Sequence, residues 1–200
     1  MREHVNDFYV KSAKTQGLRS RAAFKLMEID ERDRLLAPGM LVVDLGAAPG
    51  GWSQVAAEKV GGRGKVIALD TLEMQPIAGV DFIRGDLHDN VVLDKLHSKL
   101  QGKGADLVIC DISPNISGVA SHDQARTMEL AQLAMEFSLQ ALKPQGGLLV
   151  KVFQGIGFED FLKAMRGRFK RVISRKPKAS RGRSREIYLL GRGLRQCGQG

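Results

Sequence analysis

Short apolar, β-branched runs recur along this chain, each followed by a stretch patterned for a helix, and no other feature limits its fold so tightly. Leu41–Leu45, Lys65–Asp70, Val80–Arg84, Ala105–Cys110 and residues 148–153 read as strands. Helices are predicted over residues 52–60, about 89–100, about 121–142 and 159–168. The long one carries apolar residues at 130, 133, 134, 137, 141 and 142, a helical stripe, and 143–147 (Lys-Pro-Gln-Gly-Gly) read as its stop. Parallel strands need crossover connections, so repeated βα units imply a mostly parallel sheet with helices on both faces. Residues 169–174 and 186–191 then read as a C-terminal antiparallel hairpin with a basic loop between. A further helix, about 19–34, precedes the first strand; Ala22, Ala23, Leu26, Ile29 and Leu35 turn to a core, and Arg19, Arg21 and Lys25 are expected on the surface. No repeat or long linker divides the 200 residues, so one domain is expected, with a basic segment over 1–25 and a frayed tail over 195–200.

Apolar residues at 43% and charged residues at 26% exclude wholesale disorder. No apolar run is long enough to span a bilayer, and the start lacks a secretory signal. Cys110 and Cys197 cannot build a disulfide framework or a zinc site, so a cytoplasmic protein with no membrane and no metal is expected. Thirty-one Lys and Arg against 22 Asp and Glu give +9, unevenly spread. Residues 1–25 sum to +4, residues 26–162 to −7 and residues 163–195 to +12. Basic ends around an acidic middle are the footprint of a polyanion binder, with two solvated basic tails as the plain alternative.

The first strand runs into Asp44-Leu-Gly-Ala-Ala-Pro-Gly-Gly-Trp52. Small residues there let a ligand approach backbone at the carboxyl end of the strand, the crevice open α/β sheets favour. The spacing is not the dinucleotide glycine fingerprint, and Pro49 removes an amide a pyrophosphate cradle would use. Asp44 lies where a cationic ligand group could be met. Asp70 ends the second strand, placed for ribose hydroxyls, and Asp86 follows the third, placed for an adenine amino group. Either acid alone would be a solvated loop carboxylate. Three acids in phase with the glycine loop instead suit S-adenosylmethionine, which carries a sugar, an amine and a positive centre.

Asp111 follows the fourth strand, and Lys151 stands in the otherwise apolar fifth. A charge inside a buried parallel strand is costly unless paired. Glu186, the only acid among residues 163–195, is the expected partner of Lys151. A snorkelling lysine, a loop-capping aspartate and simple charge balance are the plain alternatives.

Four blocks carry a resemblance: Arg19-Ser-Arg-Ala-Ala-Phe-Lys25, Asp44 to Gln54, Asp111-Ile-Ser-Pro-Asn115 and Lys178 to Tyr188. In that order, from about Tyr9 to Gly191, they closely resemble the FtsJ family, ribose 2′-O-methyltransferases acting on large-subunit ribosomal RNA. The resemblance implies a Rossmann-like class I methyltransferase fold, a mostly parallel seven-stranded sheet with the antiparallel hairpin, and S-adenosylmethionine as cofactor. It puts the family's catalytic Lys-Asp-Lys-Glu tetrad on Lys25, Asp111, Lys151 and Glu186. Its cofactor contacts then fall on Gly50, Trp52, Asp70, Asp86 and Asp111, joining Asp44 and Gly46, read above from the glycine loop itself. It further implies a uridine as target, a large subunit or its RNA as partner, and Lys151 as base with Lys25 and the two acids positioning it; a protonated Lys151 that orients the hydroxyl is the physical alternative.

RNA phosphates would be met by Lys11, Lys14, Arg19, Arg21, Arg175, Lys176, Lys178, Arg181, Arg183 and Arg185, with Tyr188 as a further contact. Aromatics at 6% leave little for a stacking platform, so shape and the 2′-hydroxyl should set specificity. A decayed RNA-binding domain has no reason to keep Lys151 and Glu186, and a protein or small-molecule methyltransferase has no need of +12 over 33 residues. A base methyltransferase would carry a second proline and an aromatic after the fourth strand, where this chain has Asp111-Ile-Ser-Pro-Asn115. A monomer is expected.

Overall fold

The computed structural model describes residues 3–113, 118, 120–180 and 184–195. Helices α1 (Glu3–Thr15) and α2 (Ala23–Asp33) precede β1 (Leu41–Leu45), α3 (Gly51–Val60), β2 (Lys65–Asp70) and β3 (Val80–Arg84). Then follow α4 (Asn90–Leu100), β4 (Ala105–Cys110), α5 (Ala120–Ala141), β5 (Leu142–Phe153), α6 (Phe158–Arg168), β6 (Phe169–Arg175) and β7 (Glu186–Leu194). The seven strands form one sheet in the order β3-β2-β1-β4-β5-β7-β6. The first five are parallel, and β7 is antiparallel to both β5 and β6. The chain therefore has the expected Rossmann-like architecture, with the hairpin's second strand inserted against β5.

Strand alternation sorts the core into two layers. Val43, Leu45, Ile67, Leu69 and Val108 face one way, onto α4, α5 and α6. Val42, Val66, Leu107, Ile109 and Leu149 face the other, onto α2 and α3. Leu26 and Ile29 of α2 are almost wholly buried there, each stabilising the fold by about 1.5–3 kcal/mol. Asp89 caps α4, its Oδ1 accepting from Val91 N at 2.8 Å.

Three elements depart from expectation. Helix α1 falls in the stretch read only as a basic segment; Tyr9 packs on Phe24 of α2 at 5.5 Å between ring centroids, and Ala13 is buried. Its apolar face is narrow, and a partner helix rather than propensity covers it. Strand β5 begins at Leu142, directly after α5, not at 148. The pairing of Leu142 with Ala105, followed by a register shift, carries 143–147 along the sheet, so the Pro-Gly stretch ends the helix without becoming a loop. Lys25 is only 7% exposed, because α2 lies against the sheet with that residue over the start of β7.

Candidate active site

The carboxyl ends of β3, β2, β1 and β4 are neighbours in the sheet, and each has an acid at or next to its end: Asp86, Asp70, Asp44 and Asp111. Between β1 and α3 the chain turns through Gly46 (φ 76°) and Gly50 (φ 108°), with the Ala48–Pro49 peptide cis. A Cβ on Gly46 would collide with the Ile112 side chain, and one on Gly50 would meet Ile77, Met74 and Arg19 within 3.0 Å. Only glycine satisfies both the left-handed backbone and the tight approach.

Gly46 N and Ala47 N donate to Leu69 O at 2.8 and 3.1 Å, tying the loop to the end of β2. Asp70 adds to this anchorage. Its Oδ2 accepts from Ala48 N at 2.9 Å and its Oδ1 from Leu72 N at 2.8 Å. The Trp52 side chain is buried, its Nε1 donating to Ala22 O at 2.8 Å, so the indole braces α2 against α3. Asp86 is exposed; its Oδ1 accepts from His88 N at 2.9 Å and lies 2.7 Å from His88 Nδ1. These contacts hold the Asp86 carboxyl below its ordinary range and push the His88 imidazole up.

Asp44 is fully buried. Ser53 Oγ donates to its Oδ2 at 2.6 Å, whereas Oδ1 has no hydrogen-bond partner among the described residues. Burial pushes this carboxyl up to about 7, against the Ser53 hydrogen bond and helped by Asp111 and Asp70. An orphaned acceptor under the glycine loop, in a row of acids, fits a ligand with amino and hydroxyl donors and positive charge. It does not fit a phosphate-rich one.

Beside this crevice the structure brings Lys25, Asp111, Lys151 and Glu186 together through Tyr188. Lys151 Nζ donates to Asp111 O at 2.8 Å, pairs with Asp111 Oδ1 at 3.0 Å and contacts Ser113 Oγ. Lys25 Nζ pairs with Glu186 Oε1 at 2.7 Å and donates to Tyr188 Oη at 3.1 Å. Tyr188 Oη donates to Asp111 Oδ1 at 2.8 Å, with Glu186 Oε1 at 3.3 Å. Ser180 Oγ adds a bond to Glu186 Oε1 at 2.9 Å. Burial, reinforced by the charges of Asp111 and Glu186, holds the phenol well above its usual range, so it stays neutral and a donor. Cys110, next to Asp111, has its thiol pushed up to about 12 by burial and offers no nucleophile.

Several sequence expectations change here. Glu186 pairs with Lys25 rather than Lys151, because β5 and β7 set Lys151 opposite Tyr188 and Glu186 two residues further along. Tyr188 is 0% exposed and sits inside the network, so it has no surface for RNA. Arg19 does not reach outward: its guanidinium donates to Gln75 O, Pro76 O and Pro49 O at 2.5, 2.6 and 3.4 Å. Arg175 forms a two-pronged pair with Asp33, both contacts at 2.7 Å, and its hydrogen bond holds that carboxyl low. Lys11, Lys14, Lys176, Lys178 and Arg185 are exposed and Arg21 is half-buried, while Arg181 and Arg183 lie outside the described residues.

Ser113, Ser180 and Arg19's carbonyl contacts were not foreseen. The i, i+2 spacing of Glu186 and Tyr188 on one strand face was the available clue to Tyr188. Among the described residues no helix is long and apolar enough to cross a membrane, and no group of His, Cys, Asp and Glu could hold a metal ion.

The FtsJ-like methyltransferase profile matches residues 18–194. "Ribosomal RNA large subunit methyltransferase E" of Nitrosospira multiformis is 63% identical over 195 residues, covering 98% of this chain and 95% of that protein. The protein of the same name from Methylobacillus flagellatus is 57% identical over 191 residues, covering 96% and 92%. The crystal structure of a ribosomal RNA methyltransferase from Plasmodium falciparum superposes with a TM-score of 0.78 at 31% identity, covering 88% of this chain and 98% of that one.

Proposed function

The chain belongs to the FtsJ-like methyltransferase family, and on that premise we propose that it methylates a ribose 2′-hydroxyl of large-subunit ribosomal RNA, a uridine's, in the assembled subunit. The shared name of its relatives supports the RNA; the resemblance of the four sequence blocks supports the ribose and the uridine. The observation that carries the chemistry is the buried Lys151, 4% exposed, standing at the crevice with Asp111.

Gly46, Gly50, Asp70 and Asp86 would hold S-adenosylmethionine, with Asp44 and Asp111 beneath and beside it. When bound, that cofactor supplies a methyl group on a positively charged sulfur. The protein's own task is to align the ribose oxygen and manage one proton. Alignment is the larger contribution, since near-attack geometry supplies roughly 7–11 kcal/mol. Lys151 Nζ meets three acceptors, matching the three N–H groups of an ammonium, and the exposed Ser113 is the one a ribose hydroxyl would displace. In that place Lys151 orients the hydroxyl and stabilises negative charge developing on its oxygen, and the hydroxyl's proton passes to water at the exposed Ser113 side as the methyl group arrives. Lys25 and Glu186 hold the far side of the network through Tyr188, fixing Asp111 and so Lys151.

Radiolabelled methyl transfer from S-adenosylmethionine to large subunits, naked RNA and protein tests the reading. Alkali-resistant dinucleotides containing 2′-O-methyluridine are the expected product, and label on protein would overturn it. Lys151→Ala should lower the single-turnover rate by about 10²–10³-fold while cofactor and RNA still bind.

A further inference from the structure

The opposite edge of the sheet, where the parallel strands begin, carries a cleft the reaction does not use. Its cavity of about 210 Å³ lies among the starts of β1, β2 and β4, the end of α4 and the residues before β2. Arg63, Lys65, Lys99, Lys103 and Lys143 line it against a single acid, Asp106. These are five of the twelve Lys and Arg of residues 26–162, a stretch whose net charge is −7. The acidic middle of the sequence thus places five of its twelve cations together.

Three of the five are held. Lys143 pairs with Asp106 at 2.6 Å, and Lys65 and Lys99 share Asp81 at 3.2 and 2.8 Å. Arg63 and Lys103 are exposed, and among the described residues neither side chain has a hydrogen-bond or ion-pair partner. The cleft thus joins three paired lysines to two exposed cations that have no partner among the described residues. The basic edge continues onto the antiparallel strands, where exposed Lys170 and Arg171 begin β6 and Lys170 lies beside Gly193 and Gln145.

We propose that this cleft is a second phosphate-binding site, taking the phosphodiester backbone of RNA remote from the ribose being methylated. The inference rests on the RNA reading above and extends it. The two edges lie a strand length apart, ~17–20 Å, with the sheet and its helices between. A short hairpin seated at the crevice faces that edge alone, because the sheet and its helices stand between it and the cleft. A folded particle, presenting several RNA segments at once, faces both. The cleft therefore selects for the assembled subunit through electrostatics alone, since phosphate contacts position without reading sequence.

The test compares wild-type chain with Arg63→Gln/Lys103→Gln on purified large subunits and on a short hairpin carrying the target ribose. Binding is measured across salt concentration. On subunits the double variant should lower the slope of log affinity against log salt by about two units, roughly 0.9 per contact. On the hairpin both slope and methyl transfer should stay unchanged. Arg63→Lys/Lys103→Arg should restore the wild-type slope, and equal cofactor affinity confirms an intact fold. An unchanged slope on subunits that the wild type binds in a salt-dependent way overturns this proposal alone, as does an equal loss on the hairpin. Wild-type chain that binds neither RNA overturns the RNA reading together with it.

Discussion

Tyr188 has one hydroxyl between two ion pairs, and the arrangement around it decides what the site can tolerate. Tyr188→Phe removes the acceptor for Lys25 and the donor to Asp111 while keeping the ring packed on Trp52, 5.6 Å away between centroids. Leaving those buried groups short of a partner should cost about 1–3 kcal/mol, seen as a lower melting temperature, together with slower single-turnover transfer. An unchanged melting temperature and rate would mean the two pairs act separately. Asp44 makes a prediction of opposite sign. Its carboxyl sits at about 7 in the folded chain against 3.8 as a free side chain, so between those values the unfolded state loses a proton that the folded state keeps. Stability from this residue is full below about pH 4, falls as pH rises to 7 and is flat above, a loss on the order of 4 kcal/mol. Asp44→Asn should therefore flatten the decline in melting temperature between pH 4 and 8, measured by thermal unfolding across pH. A variant that declines as steeply as the wild type would place the buried charge elsewhere.

Connections between elements matter as much as the elements. Arg19 sits before α2, yet its guanidinium binds carbonyls of the glycine loop and of the β2–β3 connection. Its own N donates to Gln54 Oε1 at 3.1 Å, and Gln54 Nε2 donates to Gly17 O at 3.0 Å. The stretch between α1 and α2 is thereby strapped to the crevice. Arg19→Ala should weaken cofactor binding, read by calorimetry, and leave the salt slope of RNA binding unchanged. A slope reduced by about one unit would restore Arg19 to the phosphate contacts. Strand β6 shows another element-level device: it is an outer strand, and exposed Lys170 and Arg171 discourage pairing with a second molecule.

Across the whole molecule, charge and topology divide the work. The parallel half of the sheet ends in acids at the crevice, and Lys176, Lys178 and Arg185 lie beside it, because β7 starts at that same edge. Lys178 and Arg185 are exposed there, and Lys178→Gln/Arg185→Gln should lower the salt slope for RNA by about two units in filter binding. The same slope in both proteins would remove this surface from the RNA interface. Arg175, counted with these residues in the sequence, is spent on Asp33 and should contribute to stability instead.

The sequence alone determined the βα alternation, the glycine loop and the row of acids, because each depends on residues close together in the chain. Strand periodicity, a left-handed glycine and a strand-end carboxylate are local matters, and Leu41–Leu45, Gly46, Gly50 and Asp70 carried them without tertiary help. Partnerships were decided elsewhere. Lys25 and Glu186 are far apart in sequence, and only the register that sets Phe153 opposite Glu186 and Lys151 opposite Tyr188 turns Glu186 to Lys25. The burial of Tyr188, the inward reach of Arg19 and the gathering of five cations at the strand starts have the same origin. A side chain's composition says what it can bond; which groups lie within 3 Å of it is set by how sheet and helices stack, and no local pattern encodes that.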